Sequence, residues 1–138
     1  MRAVARREGG KLTQEVTIRE HELTADEPKE QGGDDEGPSP QELLAASLAS
    51  CTAITMEMYA QRKGWDVGDM SVDVNYEPAQ RGSPTRFELV IRMPKELPEE
   101  QRQRLMQIAA KCPVHRTLEG EVMFKERMER IPAPARAA

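Results

Sequence analysis

Apolar residues recur at two different periods along this 138-residue chain, and the changes of period mark its elements. In "KLTQEVTI" (11–18), Leu12, Val16 and Ile18 share one alternating face, the signature of a strand. A turn at "REHE" returns the chain through "ELTAD", and the residues before Gly9-Gly10 read as one more short strand. The acidic, Gly- and Pro-rich stretch from Glu27 to Pro38 is a loop. The period then lengthens: Leu44, Leu48, Cys51, Thr55 and Met58 form one stripe at spacings of four and three. Leu43, Ala45, Ala46, Ala49, Ala53 and Ile54 widen it. This predicts a helix over about 39–63, enclosed on several sides in its first half and solvated towards Glu57, Gln61, Arg62 and Lys63. Its ends are well marked. Ser39 caps, Pro40 suits the first turn, Glu42 completes a capping box, and Gly64 stops the helix.

Alternation resumes in "MSVDVNYE" (Val72, Val74, Tyr76) and "TRFELVIRM" (Phe87, Leu89, Ile91, Met93), separated by the turn "PAQRGSP". These two strands are expected to form a hairpin. "LPEEQRQRLMQIAAKC" predicts a second amphipathic helix over about 98–112, with an acidic start and Leu105, Ile108, Ala109 and Cys112 on one face. Pro113 interrupts it, "VHRTLEG" reads as a helical turn, and "EVMFKERM" as a last strand. The expected class is α+β: a mainly antiparallel sheet packed on a long central helix, in a single domain over 1–131. Residues 132–138 read as a disordered tail.

Net charge is −4 with both signs interspersed, so no basic block points to nucleic acid. The longest uninterrupted apolar run is far short of a membrane span. The N-terminal "MRAVARREGG" has no apolar signal region, so the expected location is cytoplasmic. In a reducing cytosol, two cysteines point less to a structural disulfide than to a transient or catalytic pair. Cys51, Cys112 and His115 lack the spacing of a zinc motif, and no metal is expected.

Both cysteines fall on apolar helix faces, where a buried thiol most often serves as a small inert hydrophobe. The alternative is a thiol peroxidase. There, one thiolate takes oxygen from a hydroperoxide, and the other condenses with the resulting sulfenic acid to a disulfide that an external dithiol reopens. A mid-helix cysteine draws little help from the helix N-terminus, so this chemistry needs a cation or donor from elsewhere.

"GPSPQELLAASLASCT", followed far downstream by "CPVHRTLEGEV", resembles the OsmC/Ohr family of osmotically inducible and organic hydroperoxide resistance proteins. "ADEP" and "GGDDEGPSP" place the likeness nearest its OsmC-like branch. The resemblance implies an α+β fold, an intertwined homodimer with two interfacial sites, and reduction of organic hydroperoxides. It gives Cys51 the attacking role and Cys112 the resolving role. A lipoylated protein or another dithiol is the implied reductant, with no bound cofactor. The chain departs from the family's arginine–glutamate pair: Gln41 stands ten residues before Cys51, Glu42 nine, and Lys11 follows Gly9-Gly10. Lysine lacks the bidentate fork of arginine. Arg19, Arg116 or an arginine of a second subunit are the substitutes to consider, and His115 is a candidate donor near Cys112. Two other readings stay open. One is a non-enzymatic protein holding a small apolar ligand in an interfacial pocket. The other is a thiol redox sensor.

Overall fold

Nine short elements arise where the periodicities change, as seen in a computed structural model that describes residues 1–132. β1 (Val4–Arg7), β2 (Gln14–Ile18) and β3 (His21–Ala25) form a three-stranded antiparallel sheet in that order. The β2–β3 hairpin turns at Arg19-Glu20, with Ile18 opposite His21 and Arg19 at φ 54°. A single 3-10 turn (Lys29–Gln31) lies in the acidic loop.

That loop is organised by one buried carboxylate. Asp26 Oδ1 accepts from Glu27 N (2.7 Å), and Oδ2 accepts from Glu36 N (3.1 Å) and Thr13 Oγ1 (2.8 Å). Burial alone would raise its pKa, but these bonds, with one from the Asp34 backbone, outweigh burial and hold it below the usual carboxylate value. The loop backbone packs so tightly that a Cβ on Gly33 would fall 2.0 Å from Glu27 O, and one on Gly37 2.3 Å from Thr24 O.

α1 (Pro40–Lys63) carries the full capping box between Ser39 and Glu42 and ends on Gly64 in the left-handed region. Its buried row is Leu48, Thr52, Met56 and Ala60, an i, i+4 series. That row lies to one side of the stripe expected from the sequence, because α1 is covered by β4 along one flank and by α2 and α3 along another. Ile54 (55%) and Met58 (59%) remain exposed, so one chain does not enclose the helix on several sides. α1 is also long and apolar enough, as a whole helix, to cross a membrane, although no uninterrupted apolar run within it is. Its cap, its polar end and its packing against other elements are those of a core helix.

β4 (Ser71–Glu77) and β5 (Arg86–Arg92) form the expected hairpin, with Val72 opposite Ile91 and Val74 opposite Leu89. Tyr76 stacks on Phe87 at 4.8 Å between ring centroids. The core joins Met56, Ala60, Val67, Leu105 and Ala109, flanked by Trp65, Ile91 and Leu97.

Two expectations change at the C-terminal end. α2 (Glu99–Ala109) stops before Cys112, which caps the next helix, α3 (Pro113–Glu119). Proline at 113 has no N–H to continue α2, but its fixed φ suits the first position of a new helix. "EVMFKERM" forms no strand in the single chain. Val122, Met123, Phe124 and Met128 all stay exposed. The antiparallel strands also divide into two sheets rather than one, and only the two-stranded sheet packs extensively on α1. The tail expected to be disordered lies, from residue 133, outside the described residues.

Candidate functional site

The first turn of α3 builds the site from below. Pro113 occupies the first helical position without an N–H, so Val114 and His115 bear the next two backbone donors. The His115 N–H bonds Cys112 Sγ at 3.2 Å, which makes Cys112 the N-cap. The Val114 N–H faces Cys51 and favours its thiolate. Two cysteines 61 residues apart thus meet at the first turn of one helix.

From above, α1 supplies Cys51 on one turn and two threonines beside it. Thr52, fully buried, donates its hydroxyl to Cys112 Sγ at 3.7 Å. Thr55 lies beside Cys51 and favours its thiolate. Both cysteines are free thiols close enough to influence each other's ionisation; Cys112 is fully buried and Cys51 only partly. Burial pushes the Cys51 thiol up. The Val114 N–H pulls it back, the hydrogen bond and charge of Cys112 push it up again, and Thr55 lowers it; the net direction is up. None of these leading influences is a cation.

The structure does not bring the other candidate residues to the pair within one chain. Gln41 and Glu42 lie at the start of α1, roughly 15 Å along the axis from Cys51 at 1.5 Å per residue. They line a 520 Å³ groove with Ala45, Ala46 and Ala49 of α1 and Val74 and Tyr76 of β4. Glu42 is engaged in the capping box, which lowers its pKa through bonds from the Ser39 backbone and hydroxyl. Lys11 sits at 4.0 Å from Asp34, exposed. Arg19 lies in the β2–β3 turn against Glu20 at 3.4 Å. Arg116 points from an exposed position on α3. His115 meets the cysteine pair through its backbone, while its imidazole Nε2 lies 2.9 Å from Glu119 Oε1. Among the described residues, no group of three His, Cys, Asp or Glu side chains is placed to hold a metal ion.

Comparison with known proteins bears on the family and the fold. The family model "OsmC-like protein" matches residues 32–127, from the acidic loop through both cysteines and beyond. The chain belongs to the OsmC/Ohr family. A Psychrobacter arcticus 273-4 protein assigned to osmotic stress induction and detoxification response is 25% identical, with a TM-score of 0.72. That match covers 83% of this chain and 85% of that one. The organic hydroperoxide resistance protein OhrB of Bacillus subtilis is 22% identical at a TM-score of 0.60, covering 86% and 90%. An organic hydroperoxide resistance protein from Elizabethkingia anophelis is 23% identical at 0.65, covering 86% of each chain. At these last two identities the likeness establishes the fold. No curated protein sequence matches.

Sequence reasoning found the two cysteines but missed Thr52, Thr55 and the Val114 amide. Thr52 stood off the expected stripe, and a backbone N–H has no residue-type signal. The run Cys-Pro was the available clue, since proline after a capping residue starts a helix whose next amides are free.

Proposed function

We propose that this OsmC/Ohr-family protein is a cysteine-based reductase of organic hydroperoxides that works as a homodimer in the cytoplasm. The observation that carries the reading is the contact between Cys51 and Cys112, held by Val114 and His115 from one side and by Thr52 and Thr55 from the other. The Cys51 thiolate attacks the distal oxygen of the hydroperoxide. The O–O bond breaks, an alcohol leaves, and Cys51 becomes a sulfenic acid. The Cys112 sulfur then attacks Cys51, water leaves, and a disulfide forms. An external dithiol, carried by a lipoylated protein or a small thiol, returns both cysteines to the reduced state. The cycle uses no metal or flavin.

Homodimer formation is supported by what one chain leaves uncovered. It exposes 11547 Å², whereas a folded monomer of this mass exposes about 7,200 Å². Ile54 and Met58, beside Cys51 on α1, are more than half exposed, as are Val122 and Phe124 in the C-terminal segment. In the proposed dimer, the cation that activates Cys51 comes from the second copy, with Arg19 and Arg116 the candidates. Lys11, Gln41, Glu42 and the His115 ring keep only supporting roles.

A second reading is favoured by one observation: the thiol of Cys51 is pushed up, not down, in the single chain. In that reading the cysteines are walls of an apolar ligand pocket. One stoichiometric experiment separates the two. Reduced protein is mixed with one equivalent of cumene hydroperoxide or of hydrogen peroxide, and intact mass is followed for minutes. Loss of two thiols to a Cys51–Cys112 disulfide, faster with the organic peroxide, is expected. Survival of both thiols would overturn the reductase and leave the ligand-binding reading.

A further inference from the structure

The two sulfurs of the candidate site differ sharply in access and in support. Cys112 is 0% exposed, and its Sγ accepts bonds from the Thr52 hydroxyl and the His115 amide. Cys51 is only partly buried and lies on the rim of α1, next to the exposed Ile54 and Met58. Thiol–disulfide exchange follows a line: the attacking thiolate, the sulfur attacked and the leaving sulfur. Its rate depends on access to the attacked sulfur and on stabilisation of the one that leaves. Hydrogen bonds to an ionised acceptor are stronger than those to a neutral one. The donors on Cys112 therefore strengthen as charge arrives there.

We infer that an external thiol reopens a Cys51–Cys112 disulfide by attacking Cys51 Sγ, and that Thr52 is a positioning residue that holds Cys112 as the leaving thiolate. The inference rests on the disulfide-forming pair proposed above, though not on a peroxide as the oxidant. The first thiol of a dithiol gives its proton to solvent, and its sulfur bonds to Cys51 Sγ. The Cys51–Cys112 bond breaks, and its electron pair leaves on Cys112 Sγ, facing Thr52 and the His115 N–H. The second thiol of the same molecule then attacks its own sulfur in the mixed disulfide. Cys51 is released as a thiolate and the dithiol departs as a cyclic disulfide. The reductant loses two electrons, and the protein disulfide gains them.

Thr52 is fully buried, and its hydroxyl bonds across a sequence separation of 60 residues. It sits next to Cys51 in the chain, so the residue after the attacked cysteine steadies the sulfur that leaves.

The test uses the full-length chain oxidised with diamide, which makes the disulfide without any hydroperoxide. Excess 2-mercaptoethanol is added, the exchange is stopped with acid within seconds, free thiols are alkylated, and the adduct is mapped by mass. The mercaptoethanol adduct is expected on Cys51, with the alkyl group on Cys112. An adduct on Cys112, an even split, or failure of diamide to join the two cysteines overturns the inference. Thr52→Val is then expected to slow reduction by dithiothreitol about tenfold, as befits one lost bond to a charged sulfur. Thr52→Ser should restore it to within about threefold. Equal reduction rates in Thr52→Val and the native protein would remove Thr52 from the role. If the valine variant fails to fold, the adduct position in the native chain still decides the direction of attack. A chain that forms the disulfide with diamide yet ignores cumene hydroperoxide would sink the reductase reading and leave this inference standing.

Discussion

At the scale of single residues, Cys51 is a thiol whose neighbours disagree. Burial and Cys112 favour the protonated form, while the Val114 amide and Thr55 hydroxyl favour the thiolate. The raising influences win. Alkylation of Cys51 by iodoacetamide should therefore be slow at neutral pH and should climb beyond the midpoint of an ordinary thiol. Cys112→Ala removes a hydrogen bond and a charge that both push upward, so it should move that midpoint down. An unmoved midpoint would mean that the two sulfurs do not feel each other. The same shift has a thermodynamic sign. A thiol whose pKa is higher folded than unfolded stabilises the fold below the unfolded value, and this contribution is lost as pH rises through the folded one. Sequence inspection picked out both cysteines, because Cys-Thr after an apolar helix start and a distant Cys-Pro are visible as letters. It could not see that one amide apiece from Val114 and His115 would reach them.

Among elements, the acidic loop and α1 show how local chemistry becomes placement. Asp26 ties Thr13, Glu27 and Glu36 together and so fixes the loop that delivers Ser39 to the start of α1. Its folded pKa is depressed, so its contribution to stability is present above the ordinary aspartate value and is lost as pH falls through the folded one. Asp26→Asn cannot accept all these bonds. It should lower stability at pH 7 and flatten the acid-side loss of stability in denaturant titrations. It should also speed proteolysis within residues 27–38. A variant with native stability at neutral pH would show that the carboxylate does not hold the loop. The helix over 39–63 was legible because caps and period agreed, and the structure matches its ends. Its buried face was not legible. An apolar surface this wide leaves several stripes open, and Leu48, Thr52, Met56 and Ala60 were selected by the elements that pack on them.

For the molecule as a whole, the unsatisfied surface is the main fact. A two-stranded and a three-stranded sheet, an exposed apolar flank on α1 and an extended C-terminal segment do not close into one core. Sedimentation at micromolar concentration should give twice the chain mass. Phe124→Asp, which puts a charge into the exposed apolar segment, should shift the protein towards monomer without unfolding α1. A stable native monomer would count against the dimer and against a site completed by a second copy.

The letters of this chain were enough for its class, five of its strands, its long helix and its family. All of these depend on local period, on capping chemistry, or on short motifs carried intact in sequence. The fold alone decided that Cys112 caps a third helix rather than ending the second. It also decided that Thr52 faces Cys112, that Gln41, Glu42, Lys11 and Arg19 stand apart from Cys51, and that "EVMFKERM" finds no strand partner within its own chain. Each of these is a contact between segments distant in sequence. Such contacts are set by how apolar faces and backbone donors find partners in space, which no local pattern encodes.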